Sequence, residues 1–103
     1  MIQKLLKARR SLIQALPHYT CFDVVSALAT ITDVLMTYEV GSMGDVGCTV
    51  YIYGHGKGVV TAVDYKNETT TYSIYLYSQK RTITGIVKGA FDFYEQDQLI
   101  GFN

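Results

Sequence analysis

Apolar and polar residues in the first part of the chain recur with the period of an α-helix. Over residues 2–16 the apolar side chains form one stripe, and polar side chains occupy the opposite face. Proline lacks the backbone N–H that a helix needs, so Pro17 is predicted to end this first helix. A second helix is predicted to begin at Thr20, whose hydroxyl can cap the free amides, and to end at Gly41 and Gly44.

The polar residues of the second helix lie along a single narrow stripe, at Asp23, Ser26, Thr30, Asp33 and Thr37. A helix that is polar along one line only must be covered on its other sides. The first helix and a sheet can cover part of this surface, and a second subunit could cover the rest. The pattern therefore predicts a homo-oligomer, in the first instance a dimer, with Val24, Ile31 and Leu35 in or near the subunit contact.

From Val46 onward the hydrophobic period changes to two, which predicts β-strands. The predicted strands cover residues 48–53, 59–66, 71–77, 82–88 and 98–102. Tight turns are predicted at residues 54–58, 67–69 and 78–81, and a short irregular turn at residues 91–96. Because five short strands in a flat sheet would leave long open edges, a small closed barrel is the favoured arrangement.

Four segments of the strand region share a pattern with a known group of domains. They are V-G-x-x-V-Y from residue 46, G-H-G-x-G-V-V-T-A-V from residue 54, Y-S-I-Y-L from residue 72 and Y-E-Q-D-Q-L from residue 94. This pattern resembles the small SH3-like barrels of the Tudor and KOW type, and its HGxG turn is similar to the polymerase-interacting domain of CarD-type transcription factors. Helices ahead of such a barrel also resemble accessory proteins of phages and prophages. The resemblance covers roughly half the chain and none of the helices, and it bears on architecture more than on function.

The hydrophobic pattern and the resemblance together predict an α+β fold. Two N-terminal helices are expected to pack on a five-stranded antiparallel SH3-like β-barrel. Residues 1–103 are expected to form a single domain, with a helical part at residues 1–41 and a barrel part at residues 46–103. The length is close to the common size of one domain.

Net charge and cysteine usage narrow the class of protein. The formal net charge is zero, which is unlike a protein whose main role is to coat nucleic acid. Secreted domains of this size usually carry several disulfides. Because only Cys21 and Cys48 are present, a cytoplasmic protein with reduced thiols is expected. Membrane binding by the basic first helix is not expected, since Arg9 falls on its apolar side and packing against the second helix is simpler.

The sequence contains no motif that predicts a catalytic, metal or cofactor site. The glycine-rich segment around Lys57 lacks the spacing, the following Ser or Thr and the helix of a phosphate-binding loop. A zinc site would have to combine ligands that are widely separated in the sequence. The simpler expectation is that Cys21 and Cys48 are buried and that His18 and His55 are exposed. The carboxylates near the C-terminus lie in a predicted turn, where solvation explains them. The chain is therefore not expected to be an enzyme.

Nine tyrosines are many for a chain of this length. Tyr51 and Tyr53 are predicted to share one strand face, and Tyr75 and Tyr77 another. Tyrosines on an outer face suit a partner surface, because they bury a large area at low entropic cost. Cross-strand pairing that only stabilises the sheet, and stacking on unpaired bases, are the alternatives. The candidate partner-binding residues are Tyr51, Tyr53, His55, Lys57, Tyr75 and Tyr77.

The sequence thus predicts a non-enzymatic protein-interaction module without cofactor or metal. A phage-type accessory or inhibitor protein that binds a partner protein is one form of this prediction. A second interpretation is nucleic-acid binding by the barrel turns, with the basic first helix as a phosphate clamp. A third is a structural or assembly protein, for example of a virion, in which the second helix makes the subunit contact.

Overall fold

A computed structural model of the chain describes residues 1–38, 45–88 and 92–95, with the backbone alone at residues 66, 87, 88 and 92–95. Helix α1 covers Ile2–Ala15 and helix α2 covers Phe22–Thr37. Both helices are therefore confirmed close to their predicted bounds. Gly41 and Gly44, which were predicted to end the second helix, lie outside the described residues.

The connection between the helices uses Thr20 differently from the prediction. Its hydroxyl donates to the carbonyl oxygen of Leu16, at the end of α1. Cys21 occupies the N-cap position of α2 and makes no side-chain capping hydrogen bond. The predicted capping of α2 by Thr20 is therefore wrong, because the hydroxyl already satisfies a carbonyl that the end of α1 leaves open.

Five strands follow the helices and pair in the order of the sequence. They are β1 Thr49–Ile52, β2 Gly56–Lys66, β3 Thr69–Leu76, β4 Arg81–Lys88 and β5 Asp92–Glu95, and all pairs are antiparallel. The α+β class is thus confirmed. In the described part of the chain no pairing joins β1 to β5, so the sheet is open there.

The last part of the sheet differs from the prediction. Strand β5 falls on the residues that were predicted to form an irregular turn. The predicted last strand, residues 98–102, lies outside the described residues. The segment contains two adjacent aromatic residues, Phe93 and Tyr94, a residue type that favours strands, and β4 offers it a free edge to pair with.

The turn between β1 and β2 is shorter than predicted. Ile52 pairs with Gly56, so only residues 53–55 form the loop, and the glycines at 56 and 58 belong to β2. Gly54 and Gly56 have φ values of +83° and +85°. This left-handed backbone is open to glycine at no steric cost, which explains why the chain can reverse within three residues.

Neighbouring residues of the sheet contribute to two separate cores. Val59 and Tyr75 pack with residues of the helices, among them Val25 and Leu28 of α2. The adjacent positions point to the opposite face, where the buried cluster consists of Val60, Ile74, Leu76 and Ile83. A register shift in β2 between Val60 and Ala62 bends the strand at this point.

Helix α2 carries most of the helical core, and α1 packs against it. None of the residues of α1 is buried, whereas α2 buries Val25, Leu28, Ala29, Thr32 and Leu35. The predicted subunit contact is therefore wrong at Leu35, which is 2% exposed because it packs within the chain's own core. Val24 and Ile31 are half-buried. Neither described helix is long and apolar enough to cross a membrane.

Candidate partner-binding surface

Two loops lie side by side at one end of the sheet. They are the β1–β2 loop, residues 53–55, and the β3–β4 loop, residues 77–80. The two are adjacent because alternate connections of an antiparallel meander lie at the same end of the strands. The amide of Tyr77 donates to the carbonyl of Lys57 at 3.3 Å, and the Ser78 hydroxyl donates to the carbonyl of His55 at 3.2 Å. We call residues 51–58 and 77–81 the paired-loop end.

Two predicted partner residues are prominent on this end. Tyr51 is 78% exposed and lies opposite Lys57 in the β1–β2 register. Tyr53, in the β1–β2 loop, is fully exposed. Both rings therefore contribute apolar area to the surface without contributing to the core.

The other pair of predicted tyrosines lies deeper. Tyr75 is 3% exposed, so its predicted place on an outer face is wrong. Its partner in the β2–β3 register is Val59, and both side chains lie on the face that the helices cover. Tyr77 is half-buried, with its ring edge-to-face against Phe22 at 5.4 Å and the Lys57 ammonium 5.7 Å from its centroid.

A cleft of about 280 Å³ separates α2 from the paired-loop end. The sheet side of the cleft carries Lys57 and Tyr77, which the sequence predicted to bind a partner. The helix side carries Phe22, Ser26 and Asp33, which it did not. These three share one helix face, at the border between the polar stripe and the apolar surface of α2, and this border is the signal that could have identified them.

A chain of hydrogen bonds orients His55. The Arg81 Nε donates to Gln79 Oε1 at 2.7 Å, and Gln79 Nε2 lies 2.9 Å from His55 Nδ1. Arginine can only donate, so the amide oxygen of Gln79 accepts and its NH₂ group faces the imidazole. In this arrangement Nδ1 of His55 accepts the hydrogen bond from the Gln79 amide.

A second groove, of about 480 Å³, lies at the other end of the helix-covered face. Its lining includes Pro17 and Thr20 from the helix connection and Val46 and Thr82 from the strand region. The lining is apolar apart from hydroxyl groups, and it contains no charged side chain. This composition offers few groups that could orient a ligand.

The two cysteines lie in different environments. Cys48 is buried, with its sulfur 4.0 Å from that of Met36, whereas Cys21 is exposed, so the predicted burial of Cys21 is wrong. Cys21 directly precedes the first residue of α2, and the connection between the helices leaves its side chain exposed to solvent. Within residues 1–38, 45–88 and 92–95, no group of three or more His, Cys, Asp or Glu side chains could hold a metal ion.

Comparisons of the chain with models of protein families, with curated proteins and with solved structures find no match. The resemblance to Tudor and KOW barrels therefore stays a prediction from the sequence segments.

Proposed function

We propose that the protein is a non-enzymatic interaction module that binds a partner protein at the paired-loop end. The observation that carries this proposal is the exposure of Tyr51 in β1 and Tyr53 in the β1–β2 loop, at an end of the sheet where hydrogen bonds hold two loops together. Large exposed aromatic side chains are costly to solvate and are enriched at the centres of protein interfaces. The adjoining cleft offers hydroxyls, one carboxylate and one ammonium, groups that suit recognition.

The proposal is tested by the effect of Tyr53→Ala on partner binding. A pull-down from the native host, read by mass spectrometry, identifies the partner, and titrations then compare the wild type with the variant. Truncation of a tyrosine anchor costs about 1–2 kcal/mol or more, so the variant should bind at least about fivefold more weakly.

Tyr65→Ala is the matched control, because Tyr65 is 67% exposed but lies near the far end of β2. It removes the same side chain from a surface that the proposal does not use, and it should bind the partner like the wild type. Circular dichroism checks that both variants fold. Equal binding of the two variants would contradict the proposed surface.

Binding of nucleic acid is the second candidate function. Lys57, Lys80 and Arg81 are exposed near Tyr53, and α1 exposes further cations at Lys4 and Lys7. Contacts with phosphates weaken steeply as salt rises, so a strong salt dependence with a nucleic-acid probe would favour this candidate over the first. The zero net charge of the chain favours the protein partner.

We further propose that the sheet closes into the predicted SH3-like barrel. Buried side chains on the face away from the helices support closure, since a curled sheet encloses one of its own faces. The bulge in β2 gives the bend that closure requires. Nuclear Overhauser contacts between β1 and the chain beyond β4 are expected, and a lack of them would contradict closure. A phage-type accessory or inhibitor role is supported by the sequence resemblance alone.

A further inference from the structure

Charge is distributed unevenly along the length of the sheet. No acidic residue occurs between Asp45 and Asp64, and none between Glu68 and Asp92. The paired-loop end therefore carries only basic and neutral side chains, with cations at Lys57, Lys80 and Arg81. Asp64 and Glu68 lie at the opposite end of β2, a strand of 11 residues and thus about 35 Å long.

The cations belong to loops that are already ordered. The Ser78 hydroxyl and the Gln79 amide both bond to His55, and Gln79 also orients Arg81. The two loops therefore hold each other before any partner arrives. Such preorganisation reduces the entropy that a binding partner would have to overcome.

Arg81 and Lys57 can still form hydrogen bonds or ion pairs with a ligand. Gln79 uses only the Nε of Arg81, and the guanidinium nitrogens beyond it can still form the paired hydrogen bonds that a carboxylate accepts. Lys57 is held over the ring of Tyr77 and, among the described residues, makes no ion pair. A carboxylate could approach either group without breaking a bond that holds the loops together.

We infer that the paired-loop end binds an acidic segment of a partner protein. Carboxylates of the segment pair with Lys57, Lys80 and Arg81, while its apolar groups pack on Tyr51 and Tyr53. This inference rests on the proposed function and specifies the partner's chemistry. A phosphate backbone carries charge at every nucleotide and favours a continuous row of cations, whereas Asp33 interrupts this surface at the adjoining cleft.

The inference is tested by fluorescence anisotropy with three short labelled probes. One is a peptide of alternating glutamate and glycine, the second has lysine in place of glutamate, and the third is an oligothymidylate. The glutamate peptide should bind, and its affinity should fall as salt is raised. Lys57→Gln and Arg81→Gln should each weaken it about two- to fivefold, as exposed ion pairs do.

Lys4→Gln is the matched control, because it removes one exposed cation from α1 and changes the net charge equally. It should leave binding of the glutamate peptide unchanged. The inference is overturned if the glutamate peptide fails to bind at millimolar concentration, if the lysine peptide binds as tightly, or if Lys4→Gln weakens binding as much. Tighter binding of the oligothymidylate would overturn it in favour of nucleic acid.

Failure of this inference can be distinguished from failure of the proposed function. If Tyr53→Ala weakens the partner found in the pull-down while Lys57→Gln and Arg81→Gln do not, the surface is correct and the acidic chemistry is wrong. If Tyr53→Ala has no effect on that partner, the surface itself is wrong, whatever the peptides do.

Discussion

Gly47 lies where the chain enters β1, against the middle of α2. Its backbone has a φ of +99°, and its amide donates to the carbonyl of Val60 at 2.7 Å. A Cβ at this position would collide with the Oγ1 of Thr32 and approach the side chain of Leu28. Glycine is therefore needed here for two separate reasons, its left-handed backbone and the absence of space.

Gly47→Ala is expected to lower the free energy of unfolding by roughly 2–4 kcal/mol, since left-handed strain and overpacking add together. Chemical denaturation measures the change. Gly54→Ala is the control, because Gly54 also has a positive φ but a Cβ added there would have no neighbouring atom within 4 Å. It should lose only about 1 kcal/mol, from strain alone. Equal losses in the two variants would contradict the packing of α2 against Gly47.

At the scale of the elements, long-range contacts explain features that local patterns leave unexplained. Arg9 falls on the apolar side of α1, where an amphipathic helix would normally place an apolar residue. Its guanidinium donates to the carbonyl of Val46 at 2.6 Å and so ties α1 to the segment before β1. The hydroxyl of Thr61, beside the β2 bulge, similarly donates to the carbonyl of Ser73 on β3 at 3.2 Å.

The β2–β3 hairpin contains a strained residue. Asn67 and Glu68 form its two-residue turn, and both have a positive φ, at +51° and +63°. Turns of this kind favour asparagine followed by glycine.

Glu68→Gly should therefore stabilise the protein, by about 0.5–1 kcal/mol, because it relieves the left-handed strain of the glutamate. The midpoint of thermal unfolding reports the change. Asn67→Gly should help less, since asparagine tolerates this conformation. If Glu68→Gly destabilises the protein instead, the turn has a different backbone.

At the scale of the whole molecule, the predicted homo-oligomer stays a prediction with an altered contact. Leu35 lies in the core, but apolar side chains stay exposed at Val34 of α2 and at Tyr38, the C-cap residue of α2. A second copy packed along this side would remove them from water, together with the half-buried Ile31.

Light scattering at micromolar concentrations is expected to give the mass of a dimer. Val34→Glu should shift that mass toward the monomer, because it places a charge in the contact. Val63→Glu, at an exposed valine of β2, should not. A monomeric mass for the wild type would contradict the prediction.

The candidate surface was predictable only in part, and the tyrosines show why. Alternation in a strand places Tyr75 and Tyr77 on the same face, but it does not state how much of that face the helices cover. Tyr75 lies under α2 and is buried, whereas Tyr77 lies at the margin of α2 and borders the cleft. The helix side of the cleft was missed for the same reason, since its residues are distant in sequence from the loops.

The sequence by itself determined the two helices and four of the strands. These features follow from periods of 3.6 and 2 residues, from proline and from glycine, all of which act within a few residues. The tertiary structure alone decided which groups meet: Arg9 with Val46, and the two loops with each other. Such contacts depend on how the helices and strands pack, and this packing is set by shape and burial across the whole chain.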